Sequence, residues 1–523
     1  LRILATSRQP LGVSGEQLLA VPPLELPPEG TTAERAVGYS SVALFAERAA
    51  AVRPGFRVDE ENVADVVRLT RELDGMPLAL ELAAARLRSM TVAQMARRLG
   101  DRFRLLTGGT RSAMPRHRTL RAVVDWSWEL LDEAERRLLR RLSIFAGGAT
   151  LEAVEGVCAD RGAKGTVDGD DVWGVLFALV DKSLVVAETP VGDEAPPRYR
   201  QLETVRAYAA ERLRECGEEE SYRDEHARYV RALWRESDPL LRGPGQRETM
   251  VRLDAEADHC GAALRWAIER GDSALALDLI EYSQWYWTLG GAWRRLNQWA
   301  EEVLDVVGDR VPEGRAVAYA SCLFHHALDG NLDHSLTVQR LRRVEEVMEE
   351  AGERVEEHHT LVYGLVYKAL IEGRVDDSYE RLVAAVEQDD SWMRAMVRLL
   401  LALLDVLSGR VGRSMERAST ALEEFRACGD TWGQCQALAQ AADSQRFGDL
   451  RRCGELLDEG MRLAEGTALR GMAAMFRVRR AQVLTDLGEL EAARRDLRVL
   501  FDGQEPIERE HMLLLWLTEA HWS

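Results

Sequence analysis

Lysine is the rarest charged residue in this sequence. Only Lys164, Lys182 and Lys368 stand among the 68 basic residues. None of them completes a Gly-x-x-x-x-Gly-Lys-Ser/Thr motif, whose backbone amides and lysine would cradle a phosphate chain. A phosphate-binding loop of that kind is therefore excluded from these 523 residues, and we expect no ATP hydrolysis by this chain alone.

Paired cysteines and long apolar runs are also missing. The seven cysteines are scattered and form no Cys-x-x-Cys, which argues against a disulfide scaffold and a thiolate zinc site. No apolar run approaches the about 18 residues that a membrane-spanning helix needs, and no signal peptide is visible. We therefore expect a cytoplasmic protein that makes no contact with a membrane.

The remaining candidate ligand residues favour packing over chemistry. His325-His326 and His358-His359 are adjacent pairs, and neighbours on a helix point about 100° apart, so each pair offers one ligand and no metal site is expected. The tryptophans between residues 285 and 299 could form a cage for a cation, but we favour a core at the first repeat. No catalytic constellation with a supporting motif is present, so we predict no enzyme.

The composition predicts several folded domains with an uneven charge. The hydrophobic share is 46% and the net charge is −19. Residues 1–215 carry a net charge of −1, whereas residues 216–523 carry −18. The second part would repel a nucleic-acid backbone and favours basic or mixed-charge partners.

The first 112 residues predict a strand, a linker and a small helical domain. The apolar run from Arg2 to Thr6 is typical of a buried strand, and we expect its sheet to lie upstream, outside this chain; an edge strand of a small sheet is the alternative. Residues 1–36 are thus interpreted as the edge of a larger domain with its linker. Helical spacing then predicts four helices within residues 37–112, the second from about Asp59 to Leu73 with Asp59 as N-cap, and the third beginning at Pro77.

Residues 113–215 predict a winged helix. Helices are expected from Arg118 to Leu131, Asp132 to Leu142 and Val172 to Val180. A hairpin follows with its turn at Thr189–Pro197, and the last helix begins at Glu203. This module could bind DNA through its arginines, but acidic residues interleave with them, so we favour a regulatory lid.

Residues 216–523 predict a helical repeat array. Glycines recur at intervals of 36 to 43 residues, and each stands between two apolar helical segments. The pattern indicates about six helix–turn–helix units of a tetratricopeptide-like α-solenoid, an architecture that offers a long binding surface.

The order of several segments resembles a known family. These segments are "ILATSR", "LDGMPLALELAAARL", "LRAVVDWSWELLDEAERRLLRRLSIFAGGATLEAVEGVC", "LVDKSLVV" and "RYRQLETVRAYAAERL", followed by helical repeats. Together they resemble the NB-ARC-type STAND ATPases, and within these the large bacterial AfsR/SARP-type transcriptional regulators. The resemblance is strong over residues 1–215 and only architectural beyond them.

The resemblance implies three nucleotide-binding positions. Arg8 matches the sensor arginine that reads a γ-phosphate, and Pro77 matches the proline of the Gly-x-Pro motif that packs on the base. Glu203 falls where relatives carry the aspartate of a Met-His-Asp motif. Because the triplet here is Gln201-Leu202-Glu203, the phosphate-facing histidine is missing. ATP or ADP with Mg²⁺ is implied for a longer parent protein, and tight nucleotide binding is not expected of this chain alone.

Our sequence-based hypothesis is a mainly α regulatory and sensor segment of a nucleotide-switched transcriptional regulator. The repeats would bind a protein or small-molecule signal, with self-association as one outcome, and DNA would be bound only by a domain outside this chain. The alternatives are a stand-alone repeat scaffold for protein–protein interaction, or a regulatory segment attached to a kinase or cyclase.

Overall fold

Helices make up almost all of the regular secondary structure in the part of the chain that the structure describes. The computed structural model describes residues 23–97, 120–160, 171–189, 196–328, 334–373, 375–446, 448–467 and 469–501. Contacts divide the chain into two units, Leu1–Tyr229 and Val230–Ser523. The strand predicted at Arg2–Thr6 lies outside the described residues.

The first unit begins with a small helical domain. Its helices are α1 (Ala33–Ala36), α2 (Ser40–Val52), α3 (Val63–Glu72), α4 (Pro77–Ala85) and α5 (Val92–Arg97), with a 3₁₀ turn at Arg86–Arg88. The apolar positions that predicted the helices form its core, with Val42, Phe45 and Ala49 of α2 fully buried. The mainly helical fold class is thus confirmed, and burial of these stripes is what holds the helices together.

Asp59 makes the hydrogen bonds of the N-cap predicted for α3, although the regular helix begins only at Val63. The Asp59 carboxylate accepts from the amides of Glu61 (3.1 Å) and Asn62 (3.2 Å), and Asn62 Oδ1 accepts from the Asp59 amide (3.3 Å). The Val63 amide donates to the Asp59 carbonyl at 2.9 Å, with the spacing of a helical hydrogen bond. The reciprocal bonds between Asp59 and Asn62 follow the capping-box pattern, with asparagine in place of the usual glutamate or glutamine.

A winged helix follows in the same unit, as predicted. Its elements are α6 (Leu120–Glu129), α7 (Glu133–Leu142), α8 (Leu151–Cys158), α9 (Val172–Asp181), β1 (Val186–Glu188), β2 (Arg198–Arg200) and α10 (Glu203–Glu215). Strands β1 and β2 pair antiparallel with Ala187 opposite Tyr199, and Ala149 bridges to Tyr199 from the other side. Helix α7 begins with a full capping box, in which Asp132 and Glu135 each bind the other's backbone amide.

Helix α11 (Glu219–Ser237) contains the boundary between the units, and helices in pairs follow it. The second unit then contains 3₁₀ turns at Asp238–Leu241 and Val355–Glu357, and the helices α12 (Gln246–Asp254), α13 (Ala257–Arg270), α14 (Ser273–Leu289), α15 (Trp293–Val307), α16 (Ala316–Ala327), α17 (His334–Glu350), α18 (Val362–Glu372), α19 (Val375–Ala385), α20 (Ser391–Leu407), α21 (Val411–Cys428), α22 (Thr431–Gln445), α23 (Leu450–Glu465), α24 (Arg470–Asp486) and α25 (Leu490–Phe501).

Six antiparallel pairs, α14–α15 to α24–α25, form the repeat array within the described residues. Each helix packs on its sequence neighbour, and first helices of successive pairs also touch, as in α20 and α22. Gly409 (φ 73°) and Gly488 (φ 78°) stand at predicted turns in the left-handed region that glycine tolerates best. The predicted tryptophan core is confirmed for Trp285, Trp287 and Trp299, which are buried, whereas Trp293 is only partly buried.

Candidate functional site

The three residues implied by resemblance have different outcomes. Arg8 lies outside the described residues. Pro77 is the first residue of α4 and is exposed at its N-terminus. Glu203 is the first residue of α10 and is partly buried. The turn before Pro77 and the helix start at Glu203 meet through a residue that the sequence did not single out, Asp74.

Asp74 lies in a tight turn between α3 and α4. It has φ 53° and Gly75 has φ 60°, so two consecutive residues adopt the left-handed conformation. Leu24 donates its amide to the Gly75 carbonyl (3.2 Å), and a Cβ on Gly75 would lie only 2.4 Å from the Leu24 carbonyl oxygen. Glycine is therefore required at position 75, and the turn holds the Asp74 side chain in a fixed direction.

The Asp74 carboxylate caps a helix of the winged helix. The N-cap residue of α10 is Leu202, which has no side-chain oxygen and makes no capping hydrogen bond. The backbone amide of Thr204 instead donates to Asp74 Oδ2 at 3.1 Å. Both residues are buried, Thr204 fully, so this bond is sheltered from water. A residue of the helical domain thus supplies the cap that α10 lacks in its own sequence.

Burial raises the pKa of Asp74, while the hydrogen bonds from the backbone amides of Glu203 and Thr204 act in the opposite direction. Glu203 binds Arg206 in a bidentate pair, at 2.7 Å to Nε and 2.6 Å to Nη2. Burial disfavours the charged form of Arg206, but the hydrogen bonds and charge of Glu203 outweigh it, and the pKa of Arg206 is raised. Two carboxylates and one guanidinium therefore meet at the start of α10.

Gln201 and Leu202 occupy the positions before Glu203 in the triplet. Gln201 is buried, and its Nε2 donates to the Leu139 carbonyl of α7 at 2.6 Å. Its amide is used to join α10 to the core of the winged helix. Leu202 packs partly buried against the same core. Neither side chain offers a cation or a hydrogen-bond donor to a phosphate, which agrees with the missing histidine noted in the sequence.

The winged helix does not present a basic surface for DNA within its described residues. In helix-turn-helix proteins the second helix of the motif enters the major groove. Here that helix is α9, whose sequence VWGVLFALVD contains no basic residue. Trp173 and Phe177 on α9 are 50% and 42% exposed, and their rings lie 5.9 Å apart. An apolar surface of this kind suits contact with protein better than contact with phosphates.

The arginines of α6 and α7 are engaged within the protein. Their partners are Glu211 for Arg121, the carbonyls of Trp128 and Glu129 for Arg136, Glu133 for Arg137, Glu218 for Arg140, and Asp160 for Arg141. Lys182, just after α9, binds Glu135. Four of these five arginines thus pair with a carboxylate, as predicted, but of these four carboxylates only Glu133 is one of the acidic residues interleaved with them, and Glu211, Glu218 and Asp160 come from other parts of the unit. Arg116 and Arg118 lie outside the described residues.

Neither a metal-binding group nor a membrane-spanning helix is found in the described part of the chain. Across the ranges that the structure describes, no three His, Cys, Asp or Glu side chains converge as a metal-binding group. In those ranges we also find no helix that combines the length and apolarity needed to cross a bilayer. His325 bonds to Gln284 at 3.1 Å, and His359 lies 3.2 Å from Arg242, so both have protein partners.

Comparison with known proteins supports the winged helix directly. Residues 131–214 match a family model described as "Winged helix-turn-helix domain". A Mycobacterium tuberculosis protein named as an HTH-type transcriptional regulator is 42% identical over 308 residues, which is 58% of this chain and 32% of that protein. A second, uncharacterised M. tuberculosis protein is 37% identical over 245 residues, covering 47% of this chain and 57% of that protein.

The chain spans about a third of the length of the regulator it matches. Among solved structures, a STAND protein with a tetratricopeptide repeat sensor from Pyrococcus horikoshii aligns over 89% of this chain and 73% of its own, at 14% identity and a TM-score of 0.30. At that TM-score the alignment carries no argument beyond the helical composition that the two share.

Asp74 is the site residue that sequence reasoning missed. The signal available was the dipeptide Asp74-Gly75 directly before the Met-Pro helix start, a pattern typical of a turn. A second signal was the apolar Leu202 at a helix N-cap, which indicates that the cap must come from elsewhere. Neither signal names the partner, because the two positions are 130 residues apart in the sequence.

Proposed function

We propose that this chain is the regulatory and sensor segment of a nucleotide-switched transcriptional regulator. The helical domain and winged helix couple the nucleotide state to the conformation of the protein, and the repeats receive the signal. The support is the winged-helix match, the relatives named as transcriptional regulators, and the resemblance of the motif order to STAND ATPases. The nucleotide, ATP or ADP with Mg²⁺, is held mainly by a part of the parent protein outside this chain.

The observation that carries this proposal is the hydrogen bond between the Thr204 amide and Asp74. It joins the turn that precedes Pro77 to the helix that begins at Glu203, which are the two positions implied to contact nucleotide. A single short contact between two small domains is a suitable two-state element, because it is either formed or broken. A ligand that binds one state better than the other shifts the equilibrium between them.

In this account the Glu203–Arg206 pair is the charged part of the switch. A phosphate approaching the start of α10 meets two carboxylates, Asp74 and Glu203, and one cation, Arg206. The cation can leave Glu203 for the phosphate, as guanidinium groups bind both anions in the same bidentate geometry. Once Arg206 has left Glu203, the charge of Glu203 repels the Asp74 carboxylate more strongly. The hydrogen bond between the Thr204 amide and Asp74 is therefore weakened when nucleotide binds.

Nucleotide binding by the parent protein and by this chain tests the proposal. We expect the parent protein to carry ADP or ATP, measured by chromatography of the nucleotide released on denaturation. Calorimetry of the isolated 523-residue chain should show weak or no binding, because no phosphate-binding loop is present. Micromolar affinity of the isolated chain for ATP or ADP would contradict the claim that nucleotide is held mainly outside this chain. A parent protein that carries no nucleotide would contradict the claim that nucleotide controls its conformation.

DNA binding separates the regulator from a stand-alone scaffold. We expect a mobility shift of DNA by the parent protein and none by this chain, because the described arginines of α6 and α7 are paired and the −18 charge of residues 216–523 opposes binding. A shift produced by the chain alone would show that its winged helix reads DNA. If the parent also fails to bind DNA, the scaffold hypothesis becomes the better account.

A further inference from the structure

Segment 238–246 of the second unit, with the sequence Asp-Pro-Leu-Leu-Arg-Gly-Pro-Gly-Gln, contacts residues that are far from it in the sequence. It precedes the six helix pairs in the sequence, yet it binds residues 117 to 186 positions further along. The residues it contacts are His359, Gly429, Asp430 and Trp432, and we call these four, together with Trp392, whose Nε1 donates to Asp430, the segment site. All of them lie just before or within the first turn of α18, α20 or α22.

Gln246 is held by a matched donor and acceptor. Its Nε2 donates to Asp430 Oδ2 at 3.0 Å, and its Oε1 accepts from the Trp432 amide at 3.0 Å. One acceptor and one donor side by side are the complement of a carboxamide, and a carboxylate in its place would face Asp430 with a like charge. Gln246 and Asp430 are both buried, so water cannot replace either bond.

The segment site is also held by contacts that do not involve the segment. Asp430 caps α22 by accepting from the Gly433 amide, and Trp392 Nε1 donates to Asp430 Oδ2 at 2.9 Å. Trp285 of α14 supports the site through ring contacts at 5.4 Å with Trp392 and 5.0 Å with Trp432. These contacts join residues of the repeats to one another, which favours a site whose acceptor and aromatic walls are organised independently of the segment.

Arg242 and Pro244 make the second half of the contact. Arg242 Nη1 lies 3.2 Å from His359 Nε2, and since arginine can only donate, His359 accepts on Nε2 and carries its proton on Nδ1. Burial, and then the charge of Arg242, lowers the pKa of His359, which keeps the ring neutral. Pro244 packs so closely on Gly429 that a Cβ there would lie 3.0 Å from the proline Cβ.

We propose that segment 238–246 is an internal ligand, bound at a site that accepts a partner peptide carrying an arginine four residues before a carboxamide side chain. The partner displaces the segment, and the repeats are available to it only when the segment is released. The net charge of −18 over residues 216–523 favours a partner with such a basic residue. This inference rests on the signal-binding role of the repeats in the proposed function, but it needs no nucleotide.

Release of the segment can be measured as the rate at which trypsin cleaves the bond between Arg242 and Gly243. Arg242 is followed by Gly243, so this bond is a trypsin site, and the side chain of Arg242 is 19% exposed in the bound state. We expect Gln246→Glu, in the full chain, to raise cleavage after Arg242 by roughly tenfold or more, because it places two carboxylates together in a buried site. The control is Gln440→Ala, which removes another buried glutamine whose bonds stay within the repeats, to Ala402 and Ser414.

Binding in trans tests the site itself. A labelled peptide with the sequence of residues 237–247 is titrated by fluorescence anisotropy into the wild-type chain and into the Gln246→Glu chain. We expect the peptide to bind the variant and to bind wild type at least roughly tenfold more weakly, because the wild-type site is occupied. The same peptide with glutamate in place of glutamine should bind neither chain.

Two outcomes overturn the proposal. One is a Gln246→Glu chain that is cleaved after Arg242 but binds neither peptide, which shows a loose loop and no site. The other is a variant whose melting temperature falls far below that of Gln440→Ala, with cleavage spread over many bonds, which shows that the segment is a structural part of the array. Loss of nucleotide binding by the parent protein would affect neither assay, so the two proposals fail separately.

Discussion

The Thr204 amide donates to the carboxylate of Asp74 at 3.1 Å, across 130 residues of sequence. The bond replaces a cap that α10 cannot make, because Leu202 precedes it. Asp74 holds this position through a left-handed turn that depends on Gly75. The contact between the helical domain and the winged helix therefore depends on a few residues that can be changed one at a time.

Removing the Asp74 carboxylate should weaken the start of α10. Asp74→Gly suits the φ of 53° and removes the carboxylate, so we expect a loss of about 1–3 kcal/mol in unfolding free energy, because the buried Thr204 amide loses this acceptor. Asp74→Asn is the control, since asparagine tolerates this backbone conformation and keeps an oxygen to accept from Thr204. Urea denaturation measures both variants. Equal losses for the two would show that the charge matters and the cap does not.

Gly75 should be far more sensitive than another glycine with a similar backbone. Gly75→Ala meets the Leu24 carbonyl oxygen at 2.4 Å, whereas Gly55 (φ 87°) has nothing within 4 Å of a Cβ. Gly55→Ala should cost about 1–2 kcal/mol for its left-handed backbone alone. Gly75→Ala should cost at least about 1 kcal/mol more because of the clash. Melting curves of the two variants measure the difference in stability. Similar melting temperatures would contradict the claim that the Leu24 carbonyl leaves no room for a side chain at position 75.

Alanine substitutions at two glycines of helix α23 distinguish the effect of packing on stability from the effect of helix propensity. A Cβ on Gly460 of α23 would lie 2.2 Å from Cζ of Phe476, a fully buried ring with no room to move. Gly460→Ala should therefore destabilise the protein by about 1–3 kcal/mol. A Cβ on Gly454, in the same helix, meets only Val483 at 3.9 Å. Gly454→Ala should be neutral or stabilise by about 0.5–1 kcal/mol, since alanine favours helix.

The sequence predicted most elements and few of the contacts between them. Pro77 marks a helix start by its own chemistry, and the glycine spacing marks repeat turns, so both could be predicted locally. The cap at Asp59 could also be predicted locally, since Asp59 and Asn62 exchange capping hydrogen bonds, whereas the regular helix begins only at Val63. The Asp74–Thr204 and Gln246–Asp430 contacts join residues 130 and 184 positions apart, and no local pattern specifies them.

Glu281 of α14 should make stability depend on pH. Burial, and then the charges of Asp278 and Asp238, raises the pKa of Glu281 from 4.5 to about 7, with Arg315 opposing the rise. The folded state holds the proton more tightly, so its contribution to stability is complete below pH 4.5 and is lost as pH rises to about 7.

Glu281→Gln removes this titration. At pH 8 we expect it to stabilise the protein by about 1–3 kcal/mol relative to wild type, with a much smaller difference at pH 4.5. Glu301→Gln, at an exposed position of α15, is the control and should show no such pH dependence. Urea denaturation at the two pH values measures both. A stabilisation of the same size at both pH values would contradict the shifted pKa.

Hydrogen exchange at the start of α10 tests the central claim most directly. The parent protein, which contains the nucleotide-binding part, is loaded with ADP or with a non-hydrolysable ATP analogue, and exchange of the amides from Thr204 to Arg206 is followed by mass spectrometry. We predict that exchange differs between the two states by roughly tenfold, since breaking a cap costs about 1–2 kcal/mol, and that Asp74→Gly abolishes the difference. Identical exchange with both nucleotides would contradict the account.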